Sequence, residues 1–422
     1  MVLLVAIAIV SPWLVIVYLL ATENAESGKT KSAPLAETTV AATSSSTTTP
    51  ATPPPQKWIT GKKGPWGQIN SMLFAIDVPD EFLIVPPADQ PSVRWSFPGS
   101  SKEKVLATLR SVGMPEKEVN KLASSGKWSG DNGLTAVEPG DSLVISLAPD
   151  VRSKLYAILA TFPQNVRQID PVWFRPGMVD WRLQDSGLAA ESIALLKRLL
   201  YAQGENLLLF TDFEPAMRSL PSDAERRCFM KAVSRKQAVL ARLRLGPEAD
   251  VEKISQYWGI GGRRKDLFPF LSALHRVEKG SASVNVICLL PVFARDHLYR
   301  HPFASADAKG VRQDCFWSAF NFFNDPPDDH FNDMEYVRQV LDREYYEVQE
   351  PSQLGDLVFV AAGKTVVHVA AYMADDLLFT KNGDDFRQPW ILMHMADMMD
   401  TFAVKFPNIS TLRPQFFRKK SL

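Results

Sequence analysis

Three apolar runs follow one another late in the chain: Gly355-Asp-Leu-Val-Phe-Val-Ala361, Lys364-Thr-Val-Val-His-Val-Ala-Ala-Tyr372 and Asp376-Leu-Leu-Phe-Thr-Lys381. The turn signals between them, Ala362-Gly363 and Ala374-Asp375, leave room for hairpins only, so an antiparallel meander is expected. Ahead of it, Cys315-Phe-Trp-Ser-Ala-Phe-Asn-Phe-Phe323 reads as an aromatic helix stopped by Asn324-Asp-Pro-Pro327, and a second helix is expected near 333–343. A helix set against an antiparallel sheet is an α+β pattern.

The remainder of the 422 residues exceeds one average domain, and 46% apolar residues with 24 Phe and 10 Trp can build real cores. Lys plus Arg equals Asp plus Glu at 47 each, which gives no reason to expect a nucleic-acid partner. Residues 2–21 carry no charge and are long enough to span a bilayer, so 1–22 is read as a membrane anchor, with a signal segment as its rival. Residues 23–57, rich in Ala, Ser, Thr and Pro, cannot offset their ordering entropy and read as a disordered tether. That layout places the folded part on the outer face of a membrane.

Residues 58–290 read as a mostly helical domain and 291–422 as the helix-and-meander domain. Within the former, short strands are expected at 72–77, 82–86 and 142–147. Helices are expected after Ser101, after Pro115, from Asp150, and over 189–203, 222–244 and 265–277.

Three widely spaced cysteines, Cys228, Cys288 and Cys315, make a poor disulfide framework. Cys288 lies in the apolar run Val284-Asn-Val-Ile-Cys-Leu-Leu290 and reads as core, and Cys228 falls in a helical pattern. Cys315 is the thiol left for chemistry. At a helix start, amides and dipole favour a thiolate, and an imidazole would serve as base and acid. His368 is the candidate imidazole. Strand alternation puts Thr380 and Asn382 on one face of the returning strand, where either could orient the ring; Asn382 is the chemically firmer acceptor.

Asp314-Cys315 opening a helix, Gln353-Leu-Gly-Asp-Leu-Val-Phe359 and His368-Val-Ala-Ala-Tyr-Met373 together resemble the NlpC-like, papain-fold cysteine peptidases. Their pattern runs Asp-Cys-Ser-Gly, Pro-Gly-Asp-Leu-Val-Phe-Phe, His-Val-Gly-Ile-Tyr. The resemblance covers about residues 298–400, with Phe316-Trp317 in place of Ser-Gly. It implies a papain-like domain that hydrolyses bacterial cell-wall stem peptides through a thioester, without a cofactor or metal. It also puts the third polar position at Thr380. Two alternatives stay open: an inactive wall- or peptide-binding module of the same fold, and an acyl transferase using the same thiol.

Other motifs read as structural. His297-Leu-Tyr-Arg-His301 lacks the Glu of a zinc-protease helix and reads as a polar surface turn, while Met393, Met395, Met398 and Met399 read as packing in a helix.

Overall fold

The computed structural model describes residues 57–421 apart from 87, 88, 90, 91, 132, 205, 206, 278–281, 303–309, 364 and 406–411. The expected anchor and nearly all of the expected tether lie outside the described residues. Among the described residues, no helix is long and apolar enough to cross a membrane. The fold is mixed α+β with antiparallel sheets.

The chain forms two compact units. One joins residues up to Phe74 with 237–422; the other is 75–236. The sequence division at residue 290 therefore has no counterpart, because 237–290 belongs with the C-terminal part.

The 75–236 unit combines helices with two three-stranded sheets, made of 95–98, 134–138 and 127–131, and of 172–174, 207–210 and 201–203. Its helix Lys102–Ser111 starts where the Ser101 hydroxyl accepts the Lys104 N–H at 3.3 Å. The expected strand at 142–147 is instead the helix Asp141–Ser146, since a short apolar run cannot by itself separate the two. Likewise 82–86 carries no strand, only a short 3-10 turn at Asp80–Phe82. The expected helix over 222–244 is two elements: a Ser222-capped helix, Asp223–Ser234, and a strand from Lys236. Residues 189–203 divide in the same way, into the helix Ala190–Leu199 and the strand Tyr201–Gln203.

In the larger unit the strands are β1 (Ile59–Gly64), β2 (Gly67–Ile76), β3 (Lys236–Leu245), β4 (Ala282–Asn285), β5 (Tyr345–Val348), β6 (Leu357–Ala362), β7 (Thr365–Ala374), β8 (Leu377–Lys381), β9 (Trp390–His394) and β10 (Leu412–Lys419). The helices are α1 (Val251–Trp258), α2 (Arg264–Val277), α3 (Val292–His297), α4 (Cys315–Phe320), α5 (Met334–Glu344) and α6 (Met395–Lys405). One sheet runs β1-β2-β3-β4 and the other β5-β10-β6-β7-β8-β9. The expected meander is β6-β7-β8. The four methionines divide between β9 and α6 rather than sharing one helix.

Strand alternation gives the six-stranded sheet two distinct faces. Phe359, Val369, Ala371, Phe379, Trp390 and Leu392 pack into the core that also holds α4. Val360, Ala370, Leu378 and Ile391, equally buried, lie outside that core, on the opposite face. Pairing across the strands keeps the faces consistent: Phe359 opposes Val369, Ala371 opposes Phe379, and Lys381 opposes Trp390.

Candidate functional site

Helix α4 begins where Asp314 caps it, its carboxylate accepting the Trp317 N–H at 2.9 Å. The helix is only six residues long, so its dipole is weak. Its inner side is fixed to the sheet by aromatic packing and by the Trp390 indole N–H, which donates to Ser318 Oγ at 2.8 Å. Phe316 and Phe320 approach Phe359, and Trp317 is 1% exposed, its indole donating to Asp329 at 3.0 Å. Phe316 and Trp317 thus serve the helix–sheet core.

Cys315 is buried in that core. Burial, and then the neighbouring Asp314 charge, push its thiol up to about 12, against the pull of the Val369 amide N–H and the Lys381 ammonium. A thiol in that state is protonated at neutral pH and is a poor nucleophile.

His368 sits on the other face. It pairs with Val360, its Nε2 is hydrogen-bonded to Thr380 Oγ1 at 2.7 Å, and its ring stacks on Phe402 of α6 with centroids 4.2 Å apart. Thr380 faces the same way, because its neighbours Phe379 and Lys381 point towards α4 and it opposes Ile391. The structure therefore brings His368 and Thr380 together and leaves the Cys315 side chain across the sheet from them. Asn382 makes no bond to the ring: its amide nitrogen contacts Met393 Sδ at 3.6 Å, and its carbonyl oxygen is buried with no hydrogen-bond partner among the described residues. Thr380→Val should remove the buried Nε2–Oγ1 hydrogen bond and cost about 1 kcal/mol in chemical denaturation, whereas Asn382→Ala breaks no strong bond.

Gly355-Asp356 has a structural task. Gly355 has φ +85, and any side chain there would collide with the Phe323 ring. Asp356, 1% exposed, accepts the Ser352 and Gln353 amides at 2.9 Å each and pairs with Arg418 of β10 at 2.7 Å. It fastens a distant strand into the sheet.

On the thiol's own face the sequence reading missed two residues. Lys381, fully buried, donates from Nζ to Gly383 O at 2.6 Å and Asp385 O at 3.1 Å, and lies 5.8 Å from the Trp390 ring centroid. Burial pulls it down to about 8. A lysine ending an apolar strand, just before Asn382-Gly-Asp-Asp385, is the signal that marked it. His297 is the other. It is stacked on Phe293 at 4.1 Å and edged by Trp390 at 4.6 Å, its Nδ1 donates to Phe293 O at 2.7 Å, and burial lowers its basicity. It is a caged aromatic-core residue, not part of a polar surface turn.

Of the remaining thiols, Cys228 lies in a helix as expected, but Cys288 is not core. Cys288 is exposed on a short 3-10 turn, Val286–Leu289, and Cys228 is intermediate.

No protein-family model, curated protein or solved structure matches the chain.

Proposed function

We propose that this protein is a non-catalytic peptide-binding module. It keeps the helix-and-sheet skeleton of the NlpC-like cysteine hydrolases and takes wall-type stem peptides, at the outer face of a bacterial membrane. The carrying observation is the placement of Cys315 and His368 on opposite faces of one sheet. Hydrolysis and acyl transfer both need a thiolate that an imidazole can serve, and a buried thiol raised to about 12 offers neither.

Thiol labelling tests the reading directly. With iodoacetamide near pH 7.5, Cys288 should react first, then Cys228, with Cys315 at least about a hundredfold slower than Cys288. A stem peptide should bind wild type and Cys315→Ala equally, and neither should cleave it. Fast labelling of Cys315, with cleavage abolished by Cys315→Ala and by His368→Ala, would restore the hydrolase reading.

A further inference from the structure

In the larger unit, the β1–β2 hairpin meets the β7–β8 turn and the end of β9 around a cavity of about 350 Å³. The turn is tightly built. Asp375 has φ +58, a left-handed conformation that non-glycine residues adopt at a cost. Its Oδ2 accepts the Lys62 amide N–H at 2.8 Å, and a side chain on Gly61 would strike that carboxylate.

Three groups give the cavity its chemistry. Asp376 holds His394 Nδ1 at 2.9 Å, which leaves Nε2 as the ring nitrogen for a ligand and favours the imidazolium, a donor. Ser71 is 6% exposed and lines the cavity, yet its hydroxyl has no hydrogen-bond partner among the described residues. The Oγ is not sealed off in the protein, so it is open to the cavity. Asp375 Oδ1 is an acceptor with no described partner. The intervening wall is apolar, supplied by Ile59, Ile69 and Leu377.

Unspent donors, an unspent carboxylate oxygen and an apolar wall within one small space fit a ligand that carries both charges. We infer that this cavity binds a short zwitterionic peptide or amino acid with an apolar side chain, its carboxylate on His394 and Ser71 and its ammonium on Asp375. The inference rests on the peptide-binding reading and supplies that reading with a site, remote in sequence from the Cys315 helix.

Titration calorimetry of the full-length chain with alanyl-alanine tests it. The free dipeptide should bind, while its N-acetyl and C-amide forms should each bind at least about tenfold more weakly. Ser71→Ala and His394→Gln should cause similar losses. Ser71→Ala should do so with an unchanged melting temperature, because the hydroxyl makes no hydrogen bond to the described residues. Alanine binding as tightly as the dipeptide supports the site and assigns it to free amino acids. No dipeptide binding, or binding indifferent to end-capping and to both substitutions, overturns the inference. If a longer stem peptide still binds regardless of Ser71 and His394, the cavity is excluded and the peptide-binding reading stands; if neither ligand binds, both fall.

Discussion

Replacing Arg152 with Met is expected to lower the unfolding free energy of the 75–236 unit by about 3–5 kcal/mol at pH 7. Arg152 is fully buried in the helix Pro149–Leu159. Its guanidinium donates to Val144 O at 2.7 Å and Arg198 O at 2.9 Å, and its Nε stands 3.0 Å from Asp212 Oδ2. The other Asp212 oxygen accepts the Tyr156 hydroxyl at 2.6 Å. Burial pushes the Asp212 carboxyl up to about 6 even with Arg152 pulling it back. Without the arginine, the carboxylate must ionise uncompensated in the core or take up a proton. Taking up a proton costs about 1.4 kcal/mol for each pH unit above an ordinary carboxyl pKa near 4. Because the wild-type carboxyl itself takes up a proton below about pH 6, the loss should shrink by about 1.4 kcal/mol in all as pH falls from 7 to 5, most of it between 7 and 6, and Arg152→Met with Asp212→Asn should recover most of it. Urea denaturation as a function of pH reads both. A loss that stays constant over that range would mean that packing, not charge, dominates at this position.

The same physics explains which parts of the fold could be read from the sequence. The β6-β7-β8 meander was legible because hairpin-length gaps leave no other connection. Strand β10 was not. Leu412–Lys419 carries Pro414, which argues against an inner strand, yet it inserts between β5 and β6. Pro414 is tolerated because β5 pairs only with residues 416–419, so at Pro414 the strand has a single neighbour, β6. Strand β3 falls in the stretch expected to be helical, because the 3.6-residue period of the preceding helix masks the period of two shown by Val239, Ala241, Leu243 and Leu245, all four buried.

At the candidate site, the sharing of one face by His368 and Thr380 could be counted along the strands. Which face it was could not. Strand β7 carries an irregularity where Val360 opposes His368 but Ala361 opposes Val366, and one extra residue reverses every side chain before it. Counting residues therefore cannot say whether the imidazole meets the thiol. Preferring Asn382 to Thr380 on chemical grounds failed for a related reason. Asn382 lies just past the end of β8, where its amide meets Met393, and the shorter Thr380 within the strand takes the ring.

Lys381→Met should abolish a rise in stability that the wild type shows between about pH 8 and 10.5. Burial lowers the ammonium from 10.5 to about 8, while Asp384, Asp385 and Asp314 hold it up. Below pH 8 both the folded and the unfolded chain carry the proton, and the folded state bears the whole desolvation penalty, about 3 kcal/mol. Between 8 and 10.5 the unfolded chain still binds a proton that the folded one has released, so stability must climb with pH. Above 10.5 the contribution levels off. The difference in unfolding free energy between wild type and variant should therefore grow by about 3 kcal/mol across that window, as measured by denaturant titration. A flat difference would mean that water reaches Nζ and that the clamp on Gly383 and Asp385 is looser than 2.6 and 3.1 Å. The titration also bears on Cys315: losing the Lys381 charge removes a cation that favours the thiolate, so the pH rise that should ionise the thiol also weakens the field assisting it. This coupling helps keep the thiol protonated, which the peptide-binding reading requires.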